Sequence, residues 1–249
     1  MPDLIYDKRD DYAIFTYNRP DRLNALGGQL INQLTEAIRD FTNDPKMRVG
    51  IVTGTGRAFS AGGDLKEMAD GTFEGQFEAT YPYSGNTKPF IAAINGLAVG
   101  GGLETALDCD IRICSTEAYF GLFEPKRGIM AGYATKHLAR VIGLSAANYI
   151  LLTADRIEPE QALKWGIVTE VLEPEALMPR AIEIAEMIIE NAPLSVEGTK
   201  AQIQEWRLAK IDESIRLGQW VSKVVHASED SKEGPKAFAE KRDPVWTAG

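Results

Sequence analysis

Three consecutive glycines, Gly100-Gly101-Gly102, with a carboxylate two residues on, Glu104, form the stretch of this chain best suited to chemistry. An apolar run from Phe90 to Val99 precedes them and reads as a buried strand. Thr105-Ala106-Leu107 follow and read as the first turns of a helix. Glycines at a strand-to-helix turn let a ligand approach the backbone closely. They also present peptide N–H groups that no helical carbonyl satisfies, where the helix dipole favours negative charge. The combination suits a reaction in which a carbonyl oxygen becomes an anion while a base moves a proton.

A second turn of this kind lies upstream. Arg57-Ala58-Phe59-Ser60-Ala61-Gly62-Gly63-Asp64-Leu65-Lys66-Glu67-Met68 also follows a strand and leads towards a helix. Two such turns, each aiming one N–H at the same oxygen, make an oxyanion hole, in which one donor is worth roughly 3 kcal/mol of barrier. Taken alone, each glycine cluster reads as a tight turn. Glu104 alone reads equally as a carboxylate that complements the dipole at a helix start. Glu124 alone reads as a surface acid beside Lys126 or Arg127.

The elements that must hold these turns alternate. Tyr12 to Tyr17 is rich in aromatic and β-branched residues and ends at Asn18-Arg19-Pro20, a strand followed by a turn. Leu30, Leu34, Ile38 and Phe41 recur at helical spacing, and Asp44-Pro45 closes that helix. Val49 to Gly54, Phe90 to Ile94 and Asp110 to Cys114 read as short buried strands, so the β/α order implies parallel pairing. Val168 to Leu172 reads as a further strand. After it the pattern is helical. Ala181, Ile184, Ala185 and Ile188 trace one face with Pro179 suited to the helix start, and further helices run from Ser195 to about Ala209, Ile211 to Val225 and Asp230 to Lys241. A boundary near Glu173 divides a core, residues 1–173, from a helical region, 174–249. No repeat of fixed period and no low-complexity segment is evident.

Composition narrows the function class. The chain has 249 residues, 44% apolar and 25% charged, as a soluble globular protein has. A formal net charge of -9 argues against nucleic acid as a partner, so an anionic ligand needs a local basic patch. The two cysteines, Cys109 and Cys114, fit one apolar strand and read as small core residues rather than a disulfide or metal ligands. The N-terminus has no basic region followed by a long apolar one. The run from Phe90 to Leu103 is too short and too rich in glycine to span a bilayer. No membrane partner is expected, and the cytoplasm is the expected location.

Taken in order, several motifs carry a resemblance. They are Arg19-Pro20 with Asn24-Ala25-Leu26, Phe59 to Asp64, Asn95-Gly96 with Gly100 to Gly102 and Glu104, Leu152 to Ile157 with Ala162 and Gly166 to Val168, and Glu233-Gly234 with Ala237-Phe238 and Lys241-Arg242. Together they resemble the crotonase (enoyl-CoA hydratase/isomerase) superfamily over almost the whole chain, closest in active-site pattern to enoyl-CoA hydratase. The resemblance implies an α/β fold, a crotonase-like spiral of ββα units with a helical C-terminal trimerisation region, and a homotrimer or homohexamer. It implies an oxyanion hole whose two amides fall on Gly63 and Gly101 and bind the thioester oxygen of an acyl-CoA. The two glutamates of the family's hydratases match Glu104 and Glu124. Across a bound water such a pair can deprotonate the water and protonate the α-carbon. Glu124 is assigned as the proton donor and Glu104 to holding and activating water, as a coupled pair.

The resemblance further places coenzyme A contacts on Arg22, Leu23, Ala61, Gly63, Asp64, Leu65, Lys66, Gly101, Phe238 and Lys241, the last two often reaching a neighbouring subunit's site. Arg22, Lys66 and Lys241 read equally as solvated charges. No metal and no cofactor is expected, because coenzyme A is part of the substrate. The expected reaction is addition of water to a 2-enoyl-CoA. The alternatives are an enoyl-CoA isomerase or another acyl-CoA lyase or hydrolase of the superfamily. A non-catalytic CoA- or RNA-binding member is disfavoured by the acidic balance and by the presence of both acids. The chain departs from hydratases at Phe123, where they often carry proline, and at Ala131-Gly132-Tyr133-Ala134, where they often carry Pro-Gly-Ala-Gly-Gly. Phe123, Met130 and Tyr133 are expected to reshape the acyl pocket. Phe77, Tyr81 and Tyr83 lie where the family varies its acyl-pocket wall, and they read either as packing or as a seat for a ring-bearing acyl group. His137 and His226, the two histidines, read as surface or helix residues.

Overall fold

Strands β1 (Leu4–Lys8), β2 (Tyr12–Tyr17), β3 (Val49–Gly54), β5 (Phe90–Ile94), β7 (Ile111–Ser115) and β9 (Glu170–Leu172) form one sheet in the order β1-β2-β3-β5-β7-β9. The computed structural model describes residues 1–72, 82–127 and 130–208, with positions 224, 227–230, 233, 240, 242 and 245–247 beyond them. β1 and β2 pair antiparallel, and every other pairing in this sheet is parallel. β1 is an edge strand of mixed polarity, and so carries no apolar alternation that would mark it in the sequence. Strand β5 is buried throughout and β3 up to its final glycine, as parallel strands covered on both faces must be.

Helix α1 (Leu30–Asn43) covers one face through Leu30, Leu34, Ile38 and Phe41, which pack with Phe15, Val52 and Phe90. Helix α7 (Pro174–Ile189) covers the other through Leu177, Ala181, Ile184 and Ala185, packed on Val49, Ile51, Ile91, Ala93 and Ile113. Residues beyond 173 therefore share an apolar layer with strands before it. Helix α7 begins at Pro174, not at Pro179, which lies inside the helix. Pro174 fills the first helical position, where a missing N–H costs nothing, and Pro179 removes one donor in the second turn.

A second, three-stranded parallel sheet has the order β4 (Ala58–Ser60), β6 (Leu97–Val99), β8 (Phe120–Gly121). The apolar run Phe90 to Val99 is thus not one strand. It breaks at Asn95-Gly96, and the chain passes from the large sheet to the small one. Asn95 fixes the crossing, accepting the Gly54 N–H at 3.0 Å and donating to the Gly56 carbonyl at 2.8 Å. The same step recurs, from β3 to β4 and from β7 to β8. After β4 comes helix α2 (Leu65–Ala69) and after β6 helix α3 (Gly101–Asp108), so ββα is the unit of the fold. Identical strand order and direction place the turns after β4, β6 and β8 at one edge of the small sheet, where parallel sheets bind ligands.

Cys109 caps the end of α3 while Cys114 lies in β7, so the two do not share a strand; both are free and buried. Helices α4 (Gly132–Ile142), α5 (Leu144–Thr153) and α6 (Pro159–Trp165) fill the chain between β8 and β9, and α8 (Pro193–Leu208) matches the pattern read from Ser195. The helices read from Ile211 to Val225 and from Asp230 to Lys241 lie largely outside the described residues. Among the described residues no helix is long and apolar enough to cross a membrane.

Candidate active site

The turn after β4 is held by its neighbours. The Ala61 amide donates to the Leu23 carbonyl at 2.9 Å, and the buried Ser60 hydroxyl donates to the Asn24 carbonyl at 2.8 Å. The Leu26 amide donates to the Gly62 carbonyl at 2.7 Å, and the Asp64 amide donates to the Leu26 carbonyl at 3.1 Å. These bonds bracket Gly63 in a parallel bridge, so its own N–H faces away from Leu26. The turn after β6 touches it. A side-chain carbon at Gly62 (φ +82°) would lie 2.8 Å from the Gly101 nitrogen, so nothing larger than glycine fits between the turns. A side-chain carbon at Gly101 would lie 3.5 Å from the Gly63 nitrogen. The third turn joins through the Gly100 amide, which donates to the Gly121 carbonyl at 2.9 Å.

Gly63, Gly101, Glu104 and Glu124 line one cavity of about 540 Å³. Ala61, Leu65, Met68, Val99, Phe123 and Met130 supply most of its apolar wall, and Arg127, Tyr133, Lys136 and His137 add polar groups. Glu104 is 4% exposed, and its Oε1 accepts the Ala134 amide at 2.8 Å, which ties the first turn of α4 to α3. Glu124 begins the short 3₁₀ turn Glu124–Arg127 after β8. Its Oε2 is buried and has no hydrogen-bond partner among the described residues. Burial pushes its carboxyl above the usual range; its own backbone N–H partly opposes this, and the Glu104 charge adds to it. Neither Lys126 nor Arg127 forms an ion pair with Glu124 among the described residues. Lys126 instead sits over the Phe123 ring, 5.3 Å from its centroid.

The residues read as coenzyme A contacts divide. Ala61, Gly63, Leu65 and Gly101 line the cavity. Leu23 (φ +51°) lies in the tight turn beside Ala61, and Arg22 and Lys66 are exposed. Asp64 caps α2 instead, accepting the amides of Lys66 and Glu67, and it pairs with Arg19 at 3.1 Å. Burial pushes the Asp64 carboxyl up, but those amides and Arg19 outweigh it and hold the group below the usual range. Its side chain shapes the loop. Phe238, Lys241, Phe77, Tyr81 and His226 lie outside the described residues. Tyr83 is core. It is fully buried, packs on Phe90 at 4.9 Å between centroids, and shares a 2.6 Å hydroxyl hydrogen bond with Tyr17.

Two further contributors carry little or no mark in the sequence. Asp108, one turn beyond Glu104 on α3, accepts the amides of Tyr83 and Ser84 and the Tyr133 hydroxyl at 3.0 Å, so α3 anchors both the 83–84 turn and α4. The spacing of four between Glu104 and Asp108 was a visible signal. His137, expected on the surface or on a helix, does lie on α4, but it is half-buried and faces the cavity. Nothing in the sequence marks it, because the wall it joins is assembled from three separate segments.

The arrangement offers two glycine turns in contact on one cavity, one carboxyl raised by burial and one carboxyl held in place by a backbone amide. The family model for enoyl-CoA hydratase/isomerase matches residues 8–249. The chain is 40% identical to the (E)-benzylidenesuccinyl-CoA hydratase of Thauera aromatica, over 94% of each. It is 37% identical to the short-chain-enoyl-CoA hydratase of Clostridium acetobutylicum, over 97% of this chain and 96% of that one. The crystal structure of an enoyl-CoA hydratase from Mycobacterium tuberculosis H37Rv superposes with a TM-score of 0.93 at 36% identity, covering 100% of both chains.

Proposed function

Because the chain belongs to the enoyl-CoA hydratase/isomerase family, we propose that it is an enoyl-CoA hydratase that adds water across the double bond of a 2-enoyl-CoA. The observation that carries this reading is the meeting of Glu104 and Glu124 in the cavity that Gly63 and Gly101 also line. The thioester oxygen accepts the two glycine amides, which hold the enolate charge as it forms. Glu104 takes a proton from water as the water oxygen bonds to the β-carbon. Glu124 gives its proton to the α-carbon. One proton then returns from Glu104 to Glu124, and the pair is reset. The raised carboxyl of Glu124 supports its role as donor, and the Ala134 amide on Glu104 supports a fixed orientation for water. The site's own groups supply acid, base and charge stabilisation, so the reaction proceeds without a metal or redox cofactor.

The proposed assembly is a homotrimer or a dimer of trimers. Leu144 and Leu152 on α5, 70% and 77% exposed, support an apolar contact between copies. Light scattering reads the state directly.

A panel of crotonyl-, 3-enoyl- and aromatic enoyl-CoA thioesters tests the reaction by mass spectrometry. Gain of one water on a 2-enoyl thioester is the expected outcome. A 3-enoyl thioester converted without change of mass, with no hydration of the others, would replace it with isomerisation. If Glu104→Gln and Glu124→Gln both hydrate crotonyl-CoA at near-normal rates, the acid pair has no part in the chemistry.

A further inference from the structure

Helix α4 turns Gly132, Tyr133, Lys136 and His137 towards the cavity. Its first turn is pinned at the reacting centre, because the Ala134 amide holds Glu104. His137 lies three residues further on, about 4.5 Å along the helix axis, so its ring stands one turn from the group that orients water. The ring packs on Tyr133 at 4.2 Å between centroids. The Tyr133 hydroxyl is already spent on Asp108. His137 Nδ1 is different. It is buried and has no hydrogen-bond partner among the described residues. The other polar atom of this wall without a partner among the described residues, Glu124 Oε2, is used by the proposed chemistry. A buried polar atom left unpaired is unfavourable, and a plain alkyl chain would leave this one so.

The charges on the same wall indicate what the partner is. Arg127 and Lys136 both line the cavity, and neither forms an ion pair among the described residues. Burial pushes the His137 ring down; Asp108 opposes this, and Arg140 and Lys136 add to it, so the imidazole is neutral near pH 7. A neutral imidazole keeps one N–H to give. Together these groups bring one imidazole donor and two cations to the lining of one cavity, a set complementary to a carboxylate oxygen.

Resting on the hydratase reading above, we propose that His137 is a specificity-determining residue. It hydrogen-bonds a carboxylate borne by the acyl group, so the preferred substrate is a 2-enoyl-CoA with a second, free carboxyl close to the double bond. Arg127 and Lys136 attract that carboxylate, and Asp108 acts through Tyr133 to hold the ring against which His137 packs.

The test compares five- and six-carbon 2-enedioyl-CoA thioesters with crotonyl-CoA, 2-hexenoyl-CoA and a hydroxylated enoyl-CoA of matched length. The wild-type protein is expected to favour the enedioyl thioesters at least tenfold in kcat/KM, mainly through KM. His137→Phe keeps the ring packing and removes the nitrogen. It is expected to lose at least tenfold more on the enedioyl thioesters than on crotonyl-CoA, and His137→Asn, which returns a polar atom near Nδ1, to recover part of that loss. Equal losses on all thioesters, no preference in the wild-type protein, or preference for the hydroxylated thioester would each overturn the proposal. Calorimetric binding of glutaryl-CoA against butyryl-CoA reads the same preference without turnover. A protein that hydrates nothing but still prefers glutaryl-CoA, and loses that preference in His137→Phe, would overturn the reaction and keep the recognition.

Discussion

Glu104 and Glu124 face the same cavity from two unlike pieces of backbone. Helix α3 carries Glu104, is buried along its whole length, and follows a strand whose partners lie on both sides. The turn Glu124–Arg127 carries Glu124, is only four residues long, and contains no buried residue. One carboxylate has a backbone amide to hold it, and the other has an oxygen that nothing among the described residues satisfies. The contrast shows how one side-chain type meets two environments. Burial without a partner favours the acid form of Glu124.

The largest effect that would break this contrast is on proton transfer. Exchange of the α-hydrogens of butyryl-CoA with deuterium oxide needs the donor to the α-carbon but not the water-holding group. Glu124→Gln is expected to lower that exchange by about 10³-fold, within the usual span for a positioned acid or base, and Glu104→Gln by much less. Equal effects, read by mass spectrometry, would mean that the two glutamates do not have separate roles.

Next is pH. In the proposed mechanism Glu124 enters the hydration step protonated, and its carboxyl is raised by burial. The kcat/KM for hydration is therefore expected to fall about tenfold per pH unit once pH passes its raised pKa. That limb should be absent from the residual activity of Glu124→Gln. A profile flat from the acid side through neutrality would remove Glu124 as the donor.

Packing sharpens the comparison at smaller amplitude. A side-chain carbon at Gly102 would meet the Ser60 carbonyl oxygen at 2.1 Å, backbone against backbone, so Gly102→Ala must push α3 off β4. It is expected to cost about 1–3 kcal/mol, or several degrees at roughly 2–4 °C per kcal/mol for a chain of this size. Gly132 starts α4 with nothing within 4 Å of such a carbon, so Gly132→Ala is expected to leave the melting temperature level or slightly raised. Equal destabilisation by both would mean that the fit of α3 against β4 is not what the glycine protects.

The smallest effect is on the stability of Glu124→Gln. A group whose folded pKa is raised adds stability below its unfolded pKa and loses it as pH rises through the folded pKa. Glutamine imitates the protonated form, so the variant is expected to melt about a degree or two higher than the wild-type protein near pH 7. The gain should vanish as pH falls below the ordinary carboxylate range. Differential scanning fluorimetry across that range reads the sign.

Much of the site was legible because glycine leaves a specific mark. Gly62-Gly63 and Gly100-Gly101-Gly102 announce close backbone approach, and Glu104 follows directly. The strand order was less legible. Phe90 to Val99 reads as one apolar run, since hydrophobicity is the same whichever sheet a strand enters; only the Asn95 hydrogen bonds show where the chain crosses. Edge strand β1 shows no such pattern, because only Leu4 of its five residues is buried. Pro179 suggests a helix start because proline favours that position, but Pro174 occupies it. His137 carried no mark at all.

What residue order alone determined is therefore local: which turns need glycine, which runs must be buried, and which acids follow them. Those properties depend on backbone freedom and side-chain solubility, and both act within a few residues. Only the folded chain decided that three turns meet at one sheet edge, that Asp64 caps a helix, that Glu124 Oε2 has no partner among the described residues, and that His137 faces the cavity. Those outcomes rest on contacts between segments far apart in the chain, where burial and partners are set by packing.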